Sequence, residues 1–278
     1  MFGILGILVV FGAVVGGYLM EHGNLRVLVQ PAELVIIGGA AAGTLLVANP
    51  PYILTGIVAG FKTVFGGSRF SKASYLKTLA LLFAVMQKAR KEGMNALESD
   101  VEDSGKSALF TGLDHHARDF LCDTLRMVMT GGPSPLEIDQ MMELDMEVHH
   151  HYAQMPATAL NTVADSLPGL GIVAAVLGVV ITMGALGGPP EEIGHKVAAA
   201  LVGTFLGILL CYGLLGPMAA KMGKAVEEEG AYYHVLRVGL VAFVKGTSPL
   251  LCIEFARRAI PGHVRPGFKE MEMTCRGK

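Results

Sequence analysis

The chain has 278 residues, of which 52% are hydrophobic and 17% charged. That balance excludes an ordinary soluble globule and places the chain among membrane proteins before any motif is considered. The formal net charge of −2 adds little, since it averages over compartments, and no nucleic-acid partner is expected.

Apolar runs predict four spans, each near the ~20 residues that a bilayer core demands. Phe2 to Met20 is the first. It lacks a basic n-region and a small-x-small site, so it reads as a retained span and not as a cleaved signal. Leu34 to about Asn49 is the second, with apolar character resuming from Tyr52 to Phe65 after Pro50-Pro51. Leu167 to Leu186 is the third, and Val197 to about Met218 the fourth. None of the four spans contains Asp, Glu, Lys or Arg, and the continuation from Tyr52 to Phe65 carries only Lys62. An ionisable side chain in hydrocarbon marks an ion pathway by default, so any ion carrier is expected on a partner.

Basic residues set the orientation. The loops Glu21 to Glu33 and Gly187 to Lys196 carry only Arg26 and Lys196, whereas Lys62 to Asp165 and the tail after Met218 hold ten basic residues each. Lys62, Arg69, Lys72 and Lys77 follow span two, and Lys221 and Lys224 follow span four. The positive-inside rule then puts both termini and the middle segment in the cytoplasm.

The middle segment reads as helical throughout. Tyr75, Leu76, Leu79, Phe83 and Met86 recur at three- and four-residue intervals, an amphipathic helix that Gly93 is suited to stop. Further helices are expected from Asn95-Ala-Leu-Glu98 and from His115 to Met129. Ser134-Pro-Leu-Glu137 is a capping-box sequence that opens another through Glu147. The elements predict an all-α integral membrane protein with four transmembrane helices and a large helical cytoplasmic domain between spans two and three. Expected divisions are a hairpin with its cytoplasmic exit over 1–65, a cytoplasmic domain over 66–165, a second hairpin over 166–219 and a helical tail over 220–278.

Several signals have a plain reading beside a chemical one. Gly169-Leu-Gly171-Ile-Val-Ala174 matches a dinucleotide fingerprint formally, but it follows Pro168 into unbroken apolar sequence, with no preceding strand. His149-His150-His151 cannot form one coordination face, since helical neighbours point about 100° apart; a solvated helix end is expected. His115 and His116 read the same way. Cys122, Cys211, Cys252 and Cys275 lack metal-ligand spacing and read as ordinary thiols. No catalytic constellation or cofactor motif is present, so an enzyme is not expected. Gly12-x-x-x-Gly16, Gly39-x-x-x-Gly43 and Gly203-x-x-x-Gly207 permit close helix approach in lipid. Pro168 opens span three and Pro217 closes span four, as simple helix ends or as hinges. Thr182 and Thr204 are polar side chains inside spans three and four, where a hydroxyl commonly bonds its own helix.

The stretch Asp165-Ser-Leu-Pro168-Gly-Leu-Gly171-Ile-Val-Ala-Ala175-Val-Leu-Gly178, followed by Leu201-Val-Gly203-Thr204-Phe-Leu-Gly207 and Pro217, resembles the MotA family of flagellar motor stator subunits. Lys88-Ala-Arg90-Lys-Glu-Gly93-Met-Asn-Ala-Leu-Glu98 is similar to that family's torque segment, and the likeness covers nearly the whole chain. The resemblance implies a homopentamer in the bacterial inner membrane around a dimer of a MotB-like single-span subunit, whose intramembrane Asp carries the ion. It implies that Pro168 and Pro217 are coupling prolines and that Thr204, Ala175 and Thr182 border the ion route. It also implies that Arg90, Glu98 and Asp145 face the rotor protein FliG. Ala175 stands where sodium-driven relatives carry a hydroxyl, which favours H+ over Na+. The related TolQ and ExbB energisers lack the first hairpin. A solute transporter would show broken helices with polar ligands at mid-membrane. A passive membrane scaffold would tolerate change at Pro168 or Thr204.

Overall fold

The computed structural model describes residues 2–184, 187 and 189–276. The chain is helical: α1 Phe2–Met20, α2 Leu25–Leu28, α3 Pro31–Ala48, α4 Pro51–Phe65, α5 Lys72–Glu92, α6 Glu98–Glu102, α7 His115–Met129, α8 Pro135–Met183, α9 Pro190–Leu210, α10 Gly216–Val244, α11 Pro249–Ala259 and α12 Phe268–Arg276. Among the described residues the only β feature is an isolated bridge between Thr111 and Leu113. Two compact units divide the chain, Met1–Gly67 with Ala153–Ala225 and Ser68–Tyr152 with Val226–Lys278.

The first unit holds α1 to α4, α9 and the parts of α8 and α10 between residues 153 and 225. Gly3–Met20, Leu25–Ala48, Pro135–Met183 and Pro190–Val244 are each long and apolar enough to cross a membrane. The expected end of span three, Leu186, and Gly188 in the following loop lie outside the described residues. Pro51 occupies the first turn of α4, where its missing N–H costs nothing. α4 buries Ile53, Ile57 and Val64 against Ala157, Leu160, Met218 and Met222. α3 buries Ile37 and Ala41 against Val163, Ala164, Leu167, Ala174 and Cys211. The outer faces remain apolar and exposed, with Leu5, Leu8, Val9, Val35, Val47, Val180 and Ile181 among them. Such a surface suits lipid or neighbouring helices and is unsuited to water.

Two expectations about proline are corrected. Pro168 does not open a helix, because α8 runs unbroken for 49 residues with Pro156 and Pro168 inside it. Each proline removes one i to i−4 bond, and near Pro168 the Ser166 hydroxyl donates to the Val163 carbonyl at 2.7 Å. Pro217 likewise does not close one. A π-helical turn, Cys211–Leu215, precedes it and α10 continues beyond. A wider turn makes room for a ring that would clash with a regular helix.

The second unit has a conventional core. Tyr75, Leu79, Leu82 and Met86 of α5 pack with Leu121, Leu125, Ile138, Met142, Leu236 and Ile253. Each fully buried apolar side chain contributes about 1.5–3 kcal/mol of transfer free energy. Local caps agree with the sequence. Gly93 takes φ 91°, a left-handed conformation that ends α5. At the start of α8 the Ser134 N–H donates to the Glu137 carboxylate at 2.6 Å and the Glu137 N–H donates to the Ser134 hydroxyl at 3.3 Å, the reciprocal capping box.

Candidate functional site

In the first unit α8 and α9 meet along a seam of small residues. A Cβ added to Gly171 would stand 2.7 Å from the Gly203 carbonyl oxygen and 3.3 Å from the Thr204 Cα. One added to Gly207 would stand 2.5 Å from the Leu167 carbonyl oxygen. Only glycine permits this approach. Of the three Gly-x-x-x-Gly pairs, the one at Gly203 and Gly207 therefore forms an internal contact. Gly12, Gly16, Gly39 and Gly43 meet nothing within 4 Å.

The seam brings the stretches around Ala175 and Thr204 together, since Ala174 and Gly203, their chain neighbours, touch. Ala175 and Thr204 are half-buried. Thr182 is buried and its hydroxyl donates to the Gly178 carbonyl of its own helix at 2.8 Å. Pro168 is half-buried one turn before Gly171, and Pro217 is exposed. The dinucleotide-like run lies wholly inside α8.

The second unit holds the other expected residues. Arg90 lies in the last turn of α5, Glu98 opens α6 and Asp145 is on α8; all three are exposed. Their neighbours are engaged. The Lys88 ammonium donates to Asp100 at 2.6 Å and the Ser107 hydroxyl donates to the other Asp100 oxygen at 2.7 Å. Burial works to raise the Asp100 pKa, but the bonds from Lys88 and Ser107 outweigh it and hold the carboxyl below its usual range. Sequence reasoning missed this group, because its members are twelve and seven residues apart.

The histidine run is also corrected. α8 does not end there, so His149 is no solvated terminus. Its ring lies 5.1 Å from that of Tyr233 and 5.3 Å from that of His116. The Glu229 carboxylate, 3.5 Å from Nε2, raises the His149 pKa against the opposing effect of burial. Among the described residues no three His, Cys, Asp or Glu side chains gather as a metal site, and all four cysteines are free thiols.

A further correction concerns charge in the spans. Glu33 was expected as the last residue of a loop, yet it sits in the first turn of α3 within the apolar stretch Leu25–Ala48, and it is buried. The signal was present in the sequence: Pro31 and an acid two residues later form a helix start. An apolar-run reading begins only at Leu34 and overlooks it.

Multi-pass α-helical membrane proteins with a glycine-packed helix pair and a separate helical unit are the class this fold defines. The chain matches the model of the Motility protein A N-terminal domain over residues 4–93 and that of the MotA/TolQ/ExbB proton channel family over residues 112–234. It is 40% identical to "Motility protein A" of Escherichia coli strain K12, covering 98% of this chain and 94% of that one. It is 37% identical to "Chemotaxis protein LafT" of Vibrio parahaemolyticus, covering 96% of each. Its fold is shared with the solved C. jejuni MotAB structure, at TM-score 0.78 and 21% identity over 94% of this chain and 95% of that one. The flagellar MotAB stator complex of Bacillus subtilis gives TM-score 0.72 and 24% identity over 90% and 92%. The chain belongs to the MotA/TolQ/ExbB proton channel family and is a multi-pass protein of the inner membrane.

Proposed function

We propose that this chain is a stator subunit of the bacterial flagellar motor. It assembles as a homopentamer with a MotB-like single-span partner and converts ion flux, protons in preference to sodium, into torque on the rotor protein FliG. Both termini and the second unit are cytoplasmic. The observation that carries this reading is the 40% identity to "Motility protein A" of Escherichia coli over 98% of the chain. The first hairpin, α1 with α2 and α3, distinguishes the chain from a TolQ- or ExbB-type energiser.

The physical outline follows from the two units. Protonation of the partner's acid removes its charge and with it the cost of placing that group against the apolar seam near Ala175 and Thr204. Pro168 and Pro217 supply the compliance that lets α8 and the α9–α10 run adjust as the acid changes charge. Each charge crossing makes about 2.3 kcal/mol available per 100 mV, so several ions underlie one large movement. Arg90, Glu98 and Asp145 meet charged rotor groups. Arg90 and Glu98 are suited to this because, among the described residues, neither belongs to an ion pair, whereas Lys88 is held by Asp100.

Complementation tests the reading. In a strain lacking both stator subunits, this chain and its cognate single-span partner should restore swimming, and changing the partner's intramembrane Asp to Asn should abolish it. Both proteins present in the membrane without any swimming would contradict the proposal.

A further inference from the structure

Glu33 occupies a place that physical chemistry does not give to an idle acid. It lies in the first turn of α3, where the helix dipole favours a carboxylate. First-turn acids ordinarily reach water, but Glu33 is only 7% exposed and its Oε2 is buried without a hydrogen-bond partner among the described residues. The carboxyl fills the space left by the missing side chain of Gly203. A Cβ built there would stand 2.5 Å from Oε2 and 3.2 Å from the Ala174 Cβ. Glu33 therefore sits where α3, α8 and α9 converge. Gly203 is about 9 Å of helix beyond Val197, where the apolar run of α9 begins, so the acid is inside the span and away from its end.

No counter-charge faces it in this structure. Among the described residues, α8 has no ionisable side chain between Leu167 and Met183, and α3 has no other. On α9, Glu191, Glu192, His195 and Lys196 all lie in the first two turns, with Lys196 paired to Glu192 at 2.9 Å. Arg26 is on α2, and Cys211 lies two turns beyond Gly203 in the same apolar cluster. An ionised carboxylate left unpaired in such a site costs several kcal/mol. The protonated acid is neutral and is the form this site accommodates. Thr204 is the chain neighbour of Gly203, which Glu33 packs on, and Ala175 is that of Ala174 on the facing helix.

The geometry points to Glu33 as a second proton-holding site on the ion route, placed on the outer side of the partner's acid. An O–H bond forms on its carboxyl with a proton from outer water. That bond breaks when the proton passes inward along the seam near Thr204 to the ionised acid of the partner, on which a new O–H bond forms, and the Glu33 carboxylate is reprotonated from outer water. The inference rests on the stator reading, and it moves part of the proton chemistry onto this chain.

Infrared spectroscopy of the full chain with its cognate partner, in phosphatidylethanolamine/phosphatidylglycerol vesicles, tests the site without reference to motility. A carbonyl stretch of a protonated, buried carboxyl is expected at neutral pH, lost in Glu33→Gln and retained, shifted, in Glu33→Asp. Identical carboxyl bands in the wild type and Glu33→Gln would overturn the proton site. Swimming then tests the route. Glu33→Gln should swim more slowly than wild type at equal membrane level and lose most of its response to external pH, and Glu33→Asp should recover part of both. Wild-type swimming of Glu33→Gln across external pH would overturn the role on the route, even with the infrared band lost. Either failure leaves the stator reading intact, since that reading stands or falls with complementation by the unaltered chain.

Discussion

Arg90 and Lys88 are two residues apart on α5 and have different tasks. Lys88 is tied to Asp100, while Arg90 is exposed. Arg90→Glu is therefore expected to leave the melting temperature of the protein unchanged and to reduce swimming, with partial rescue by an opposite reversal on the rotor. Asp100→Ala should lower the melting temperature, because Lys88 and Ser107 lose their common acceptor. Normal swimming of an Arg90→Glu, Glu98→Lys double variant would remove both residues from the rotor surface. Acid stability is set elsewhere in the second unit. The Arg257 hydrogen bond, against the opposing effect of burial and with help from Arg258, holds the Glu254 carboxyl down to about 2. A depressed carboxylate contributes stability that is present above its ordinary pKa and lost as pH falls through the folded value. That contribution should disappear between about pH 4.5 and about pH 2. Glu254→Ala should cost about 1.5–3 kcal/mol near neutrality, since it removes the charge-assisted bonds from Arg257 and leaves that half-buried side chain only the Pro266 carbonyl as acceptor, and should flatten the acid limb of a stability profile measured by chemical denaturation. Arg90 and Glu98 were legible in the sequence through a contiguous segment. Asp100 and Glu254 were not, because their partners are set by packing and not by local pattern.

At the scale of elements, the seam between α8 and α9 is the feature most sensitive to small changes. Gly171→Leu would drive a side chain into the Gly203 carbonyl and the Thr204 backbone. Overpacking of this kind typically costs about 1–3 kcal/mol, so the variant should show reduced membrane levels of the assembled complex. Pro168→Ala fills no space and restores a backbone bond. It should assemble at wild-type levels and lose torque, as measured by tethered-cell rotation; full rotation would show that the proline is only a tolerated residue within α8. The existence and type of these helices followed from apolar runs and caps, as Gly93 and the Ser134–Glu137 box illustrate. Their extents did not. The apolar-run reading started span three at Leu167 because polarity changes there, whereas the backbone continues from Pro135 through both prolines. An apolar run likewise begins span two only at Leu34 and places Glu33 in a loop, although Pro31 begins the helix.

For the whole molecule, the chain provides an apolar, membrane-crossing unit and a second, well-packed unit that carries Arg90, Glu98 and Asp145. Within the first unit Glu33 is the buried acid among the described residues, and it lies where α3, α8 and α9 meet, with no second carboxyl against it among those residues. One such site can hold a proton but cannot hand it across the membrane, because a relay needs a further acceptor. The central claim is that the moving ion carrier belongs to the single-span partner. Proton flux into vesicles driven by a membrane potential measures this directly. Vesicles containing only the purified chain should show flux no greater than empty vesicles, and adding the partner should produce flux that its Asp→Asn variant abolishes. Flux through the chain alone at the rate of the complex would place the carrier in this subunit and contradict the account.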